Sequence, residues 1–144
     1  MKTLKTVALL ILTVFLMTGC STYKAYTFDV ETGDSVKVKL ETSSGYDISL
    51  ADNFNITKNG EIVSNGSFEI IEDWDQAIND LKQHANTTAF DEGSKNGAEY
   101  FFAEYNSAFY HFVKISSKTA VALKNEISQE SAKECFDLLT FTKE

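Results

Sequence analysis

The chain contains no proline and no arginine. Without Pro there is no polyproline ligand motif and no rigid Pro-rich stalk. All 13 basic residues are Lys, so the planar guanidinium fork that grips phosphates and guanine edges is missing. Beyond Gly19 there are 11 Lys against 21 Asp and Glu, which leaves ten net negative charges. Such a field repels polyanions and anionic lipid surfaces, and it excludes nucleic-acid recognition as a function class. Cysteine is also scarce: Cys20 and Cys135 cannot supply a disulfide framework, and with only two His no paired Cys/His spacing suggests zinc or haem. What remains is 144 residues, 43% hydrophobic, 24% charged and 12% aromatic, the profile of one compact globular domain.

The longest apolar run, residues 7–17, follows Lys2 and Lys5 and ends in small residues and a cysteine, Leu16-Met17-Thr18-Gly19-Cys20. A Lys-containing start and an apolar stretch are the parts of a secretory signal. The run is well short of the about 20 residues needed to span a bilayer as a helix. The closing five residues resemble the lipobox of bacterial lipoproteins, with Met17 where Leu is usual. The resemblance implies recognition of Leu16, Met17, Thr18 and Gly19 by the lipoprotein signal peptidase, cleavage before Cys20, and a diacylglyceryl group on the Cys20 sulfur. The alternative is an ordinary cleaved signal with an incidental Cys. Two acyl chains hold a protein stably where one holds it marginally, since each buried CH₂ contributes about 0.8 kcal/mol. The expected organisation is therefore a signal peptide over 1–19, a lipidated Cys and short tether over 20–24, and one domain over 25–144. It places the domain on the extracytoplasmic side of a cell membrane or outer membrane.

In the mature part the apolar period is first two. Tyr26, Phe28 and Val30, then Val36, Val38 and Leu40, then Tyr46, Ile48 and Leu50 alternate with polar residues, the pattern of half-buried antiparallel strands. Thr32-Gly33-Asp34, Ser44-Gly45, Asn59-Gly60 and Asn65-Gly66 read as turns, the last two as type I′ hairpins. At Asp73 the period becomes helical: Trp74, Ala77, Ile78 and Leu81 share a face, Asp73 is the expected N-cap with Gln76 three residues on, and the helix should end near His84. The polar, Gly-containing stretch 86–97 reads as a long mobile loop around Phe90. Three strands over 100–105, 108–115 and 119–126 follow, and a final helix capped by Ser128 carries Ala132, Cys135, Phe136 and Leu139. The predicted class is α+β, a mostly antiparallel sheet of six to seven strands with two packed helices. That element order, with a terminal amphipathic helix leading into Leu139-Thr140-Phe141, resembles the PsbP/Mog1-type α/β/α sandwich of small secreted domains. Members of that group differ widely in function, so the resemblance assigns no catalytic residue.

No motif announces a reaction. Asp52-Asn53-Phe54-Asn55 lacks the Gly and terminal Glu of a calcium loop, and Ser21-Thr22-Tyr23-Lys24 fits S-x-x-K without the companion motifs of a penicilloyl-serine enzyme. Glu72, Asp73 and Asp75 are the acids expected at a helix start. Cys135 falls on an apolar helix face as a small hydrophobe, His84 at a helix C-terminus where a cation is favoured, and His111 between Tyr110 and Phe112 in a strand. The unusual feature is aromatic density over 100–112, from which Tyr100, Tyr105, Tyr110 and His111 are the expected binding face.

The leading expectation is a non-enzymatic, membrane-anchored domain that binds an unidentified protein or small ligand, with no metal and no cofactor. Two alternatives stay open: a small hydrolase using acidic residues, with Asp91 and Glu92 near its site, and an inhibitor or immunity-type protein whose acidic body masks a basic enzyme. Cys20→Ser is expected to abolish incorporation of labelled palmitate and move the chain into the soluble fraction. Retention of the variant in membranes would contradict the anchor.

Overall fold

The structure, a computed structural model, describes residues 22–144, so the signal segment 1–19 and the lipobox with Cys20 lie outside the described residues. The elements run β1 (Tyr23–Asp29), β2 (Ser35–Glu41), β3 (Tyr46–Leu50), β4 (Phe54–Lys58), β5 (Glu61–Ile70), α1 (Trp74–Gln83), β6 (Thr87–Lys95), β7 (Ala98–Tyr105), β8 (Ala108–Lys114), β9 (Thr119–Asn125), α2 (Gln129–Leu138) and β10 (Leu139–Lys143). The class is α+β with two sheets, a three-stranded one ordered β1-β2-β10 and a seven-stranded one ordered β3-β4-β5-β9-β8-β7-β6. Every pairing is antiparallel. The expected sheet of six to seven strands is thus the larger of two. No helix among the described residues is long and apolar enough to cross a membrane.

Local chemistry explains most boundaries. Val36, Val38 and Leu40 of β2 are fully buried while Lys37 and Lys39 face outward, as their alternation requires. Asn59 and Gly60 take positive φ (51° and 85°) and close the β4–β5 hairpin in the hand that suits strand twist. Asp73 caps α1, its carboxylate accepting from the Gln76 N–H at 3.0 Å, and the Ser128 hydroxyl accepts from the Ser131 N–H at 3.0 Å to cap α2.

Four expectations are corrected. The stretch 86–97 is not a loop: Thr87–Lys95 is the edge strand β6, which satisfies the outward backbone groups of β7. A bulge between Ala89 and Asp91 interrupts the pairing. Asn65-Gly66 makes no hairpin but lies inside β5, because Gly66 stands opposite Phe54 and yields its side-chain space to that ring; a Cβ on Gly66 would lie 1.9 Å from it. Leu139 leaves the last helix and opens β10, whose pairing with β2 begins at Leu139 opposite Leu40. Finally, β1 starts at Tyr23, and the Thr42 N–H donates to the Thr22 carbonyl at 2.9 Å, so pairing begins before residue 25 and shortens the expected 20–24 tether.

The two faces of the large sheet are buried unequally. On one face, the small sheet and α2 close a core of Val36, Val38, Leu40, Ile48, Ile56, Val121 and Leu123. Phe28, Phe54, Phe68 and Phe141 form its aromatic centre, with ring centroids 5.1–6.3 Å apart. On the other face α1 alone packs Trp74, Ile78 and Leu81 against Phe101, Ala103 and Phe112. Asn125 secures the corner into α2: its Nδ2 donates to Ser64 Oγ and Ser131 Oγ, both at 3.0 Å, and its Oδ1 accepts from the Ile127 N–H at 2.9 Å.

Gly66→Ala is expected to cost about 1–3 kcal/mol, because Phe54 is held by three other rings and cannot swing away. Urea denaturation measures it, and an unchanged midpoint would contradict the close approach.

Candidate functional site

Antiparallel register carries side chains from distant parts of the chain into one transverse row. On the α1 side of the large sheet Asn55 stands opposite Asn65, Asn65 opposite Lys124, Lys124 opposite Tyr110, and Tyr110 opposite Ala103. The next row holds Ser67, Ala122, Phe112 and Phe101. Helix α1 covers the Phe101 and Ala103 end. Beyond it, an open groove of about 670 Å³ extends over β8, β9 and β5, between Leu81 and Tyr105 on one side and Asp52 and Asn53 on the other. Its size lies within the range of small-ligand clefts.

Aromatic and amide groups dominate the groove. Tyr110 and Phe112 stack with centroids 5.3 Å apart and planes within 8°, and Tyr105 meets Tyr110 edge-on at 6.2 Å. The His84 ring closes on Tyr105 at 5.0 Å. Asn65 Nδ2 donates to Asn55 Oδ1 at 2.6 Å, which engages one donor and one acceptor of the pair. Lys124 pairs with Glu126 at 2.8 Å, and that hydrogen bond raises the amine's pKa.

Tyr100 and His111 lie on the opposite face. Of the expected binding face, Tyr105 and Tyr110 come together in the groove; Tyr100 and His111 do not join them. Adjacent strand residues point to opposite faces, so a run rich in aromatics is divided between both sides of its sheet. His111 is only 2% exposed and is stacked between Phe102 at 4.0 Å and Phe136 of α2 at 4.1 Å. Its Nδ1 has no hydrogen-bond partner among the described residues. Burial first, then the charge of Lys95, pushes its pKa down to about 3, so the ring is neutral at pH 7. It forms part of a smaller cleft of about 330 Å³ with Asp91, Lys95, Tyr100, Lys133 and Asp137. The Tyr100 hydroxyl donates to Asp91 at 2.7 Å, and this bond raises the phenol's pKa. Lys95 Nζ donates to the carbonyls of Phe136 and, at 2.8 Å, of Leu139, so it finishes the C-terminus of α2. Burial lowers the Lys95 pKa against the opposing charge of Asp137.

Asp91 and Glu92 point to opposite faces of β6. Asp91 holds Tyr100, while Glu92 pairs with Lys82 of α1 at 2.9 Å, so they do not form a facing acid pair. Cys135 is fully buried, and burial raises its thiol pKa. Among the described residues no group of three His, Cys, Asp or Glu side chains is arranged for a metal ion. Sequence reasoning missed the amide half of the groove, Asn55 and Asn65, because only strand register joins them to Tyr110. Comparison with protein-family models, curated proteins and solved structures finds no match.

The buried imidazole sets a pH dependence. Between pH 6.5 and about 3 the unfolded chain binds a proton on His111 that the folded chain refuses. This contribution is complete above pH 6.5 and is lost as pH falls, by roughly 3 kcal/mol on reaching about pH 4. Denaturant titrations from pH 7 to 4 should show a steeper slope in the wild type than in His111→Phe, whose ring fits the same stack and which keeps only the carboxylate contributions at the acid end. Equal slopes would contradict the neutral, buried imidazole.

Proposed function

We propose that the chain is a lipid-anchored, extracytoplasmic domain that captures a ligand or partner in the open groove and performs no turnover. The observation that carries this reading is the open groove along Tyr110, Asn65 and Asn55, with half-buried Tyr105 and Phe112 beside it, on a sheet whose other face packs against the small sheet and α2. Aromatic side chains with polar ends, left open beside amides, are suited to recognition, since each ring contributes apolar area and each polar group direction.

Three features support the non-enzymatic part. The neutral His111 ring is held between two phenyl rings, the Cys135 thiol is sealed in the core, and Asp91 and Glu92 are divided between two faces. Each lacks the nucleophile–base or acid–base geometry that hydrolysis requires. The anchor rests on the lipobox of residues 16–20. With β1 pairing from Tyr23, a Cys20 anchor would hold the domain against the bilayer surface. The two helices on opposite faces of a central antiparallel sheet support the PsbP/Mog1-type reading of the fold.

A benzophenone amino acid placed at position 105 in the full chain, irradiated in intact cells, is expected to capture an adduct about tenfold more efficiently than the same label at Thr27 on β1. Equal capture at both positions, or none at 105, would overturn the groove as the binding face.

A further inference from the structure

We propose that the occupant of the groove is a neutral oligosaccharide. This inference rests on the groove being the binding face and names its ligand by the chemistry of the lining. An anionic ligand does not suit the site. The one cation in the row, Lys124, is already paired with Glu126 at 2.8 Å, Asp52 and Glu69 stand at the rim, and the chain beyond Gly19 carries ten net negative charges. A purely apolar ligand does not suit it either, because it would strip water from Asn53, Asn55, Asn65 and Ser67 and return no hydrogen bonds.

A sugar chain meets both conditions. Each of its hydroxyls donates and accepts, and the Asn55–Asn65 pair offers the same combination. Their mutual bond uses Asn65 Nδ2 and Asn55 Oδ1, so Asn55 Nδ2 and Asn65 Oδ1 have no side-chain partner among the described residues. The Asp52 and Glu69 carboxylates accept hydrogen bonds from ligand hydroxyls without needing a positive ligand. The C–H faces of pyranose rings pack on aromatic surface, and half-buried Tyr105 and Tyr110 line the groove wall with Phe112 stacked behind Tyr110. The shape agrees with this. The groove is an open furrow from the Asp52–Asn53 turn before β4 to Tyr105 of β7, four strand spacings or about 19 Å, which admits a chain of rings lying across the strands.

The test is isothermal titration calorimetry of the full-length chain in a detergent without a sugar headgroup. The probes are cellotetraose, maltotetraose and chitotetraose, with tetragalacturonate as an anionic counterpart. At least one neutral tetrasaccharide is expected to bind, and the anionic one to bind about tenfold more weakly or not at all. Tyr110→Ala is expected to weaken binding about tenfold, while Thr27→Ala on β1 leaves it unchanged. Tyr110→Phe keeps the ring and removes only the hydroxyl; it retains most of the affinity and supplies the comparison should Tyr110→Ala fail to fold. No heat from any neutral tetrasaccharide, equal affinity for tetragalacturonate, or full binding by a folded Tyr110→Ala overturns the inference. If the label at position 105 captures a protein while all three neutral sugars fail, the groove stands as the binding face and the sugar is excluded.

Discussion

A sheet of seven strands is about 29 Å wide, and one ten-residue helix is about 15 Å long and 10 Å across. This mismatch governs the molecule. Helix α1 shields the β6–β8 side of its face and leaves the rest open, whereas the other face receives both α2 and a second sheet. An uncovered sheet face normally carries polar side chains, and here Asn55, Asn65, Ser67 and Lys124 meet that demand. Tyr105, Tyr110 and Phe112 do not. They are half-buried beside α1, and the apolar surface they keep in solvent gives up stabilisation of about 25 cal/mol per Å² that a longer covering element would have supplied.

The sealed face is held by polar fasteners as well as by its phenyl core. Asp34, in the turn between β1 and β2, accepts from Ser116 Oγ and Thr119 Oγ1, both at 2.6 Å, and these hydroxyls hold its pKa down to about 2. The two sheets are thereby joined at the turn before β9. Glu134 of α2 joins the helix to the far edge of the large sheet, accepting from the Tyr46 hydroxyl at 2.7 Å and from Lys58 at 3.3 Å. Lys95 finishes the C-terminus of the same helix from β6. Each fastener reaches between the large sheet and an element packed on that face; the Asp34 carboxylate is buried with its partners, whereas the Glu134–Lys58 pair is half exposed. On the open face the one such link among the described residues is the exposed Lys82–Glu92 pair between α1 and β6, so most of that face is held by its strands alone.

The parts of this arrangement that were legible in the sequence are those with short-range causes. Alternation at Val36, Val38 and Leu40, the Asp73 and Ser128 caps and the Asn59-Gly60 turn all act over a few residues. Strand β6 escaped because an edge strand exposed along most of its length has no hydrophobic period to read. Gly66 escaped because the need for a glycine comes from Phe54 on the neighbouring strand. Aromatic density drew attention to Tyr105 and Tyr110, yet it could not separate them from Tyr100 and His111, which the pleat sends to the opposite face. Asn55, Asn65, Lys124 and Tyr110 become neighbours through register alone, and register depends on how all the intervening strands pair.

The central claim is that one face of the large sheet is packed into the main core and the other carries an open groove. Hydroxyl-radical footprinting of the full chain, read residue by residue in intact cells and after purification, tests it most directly. The account predicts clearly more oxidation of the half-buried Tyr105 and Tyr110 than of the buried Phe54, Phe102 and Phe141 in the purified chain, and protection of Tyr105 and Tyr110 in cells. Oxidation of Tyr110 as weak as that of Phe54 in the purified chain, or groove labelling that does not change between cells and purified chain, would contradict it.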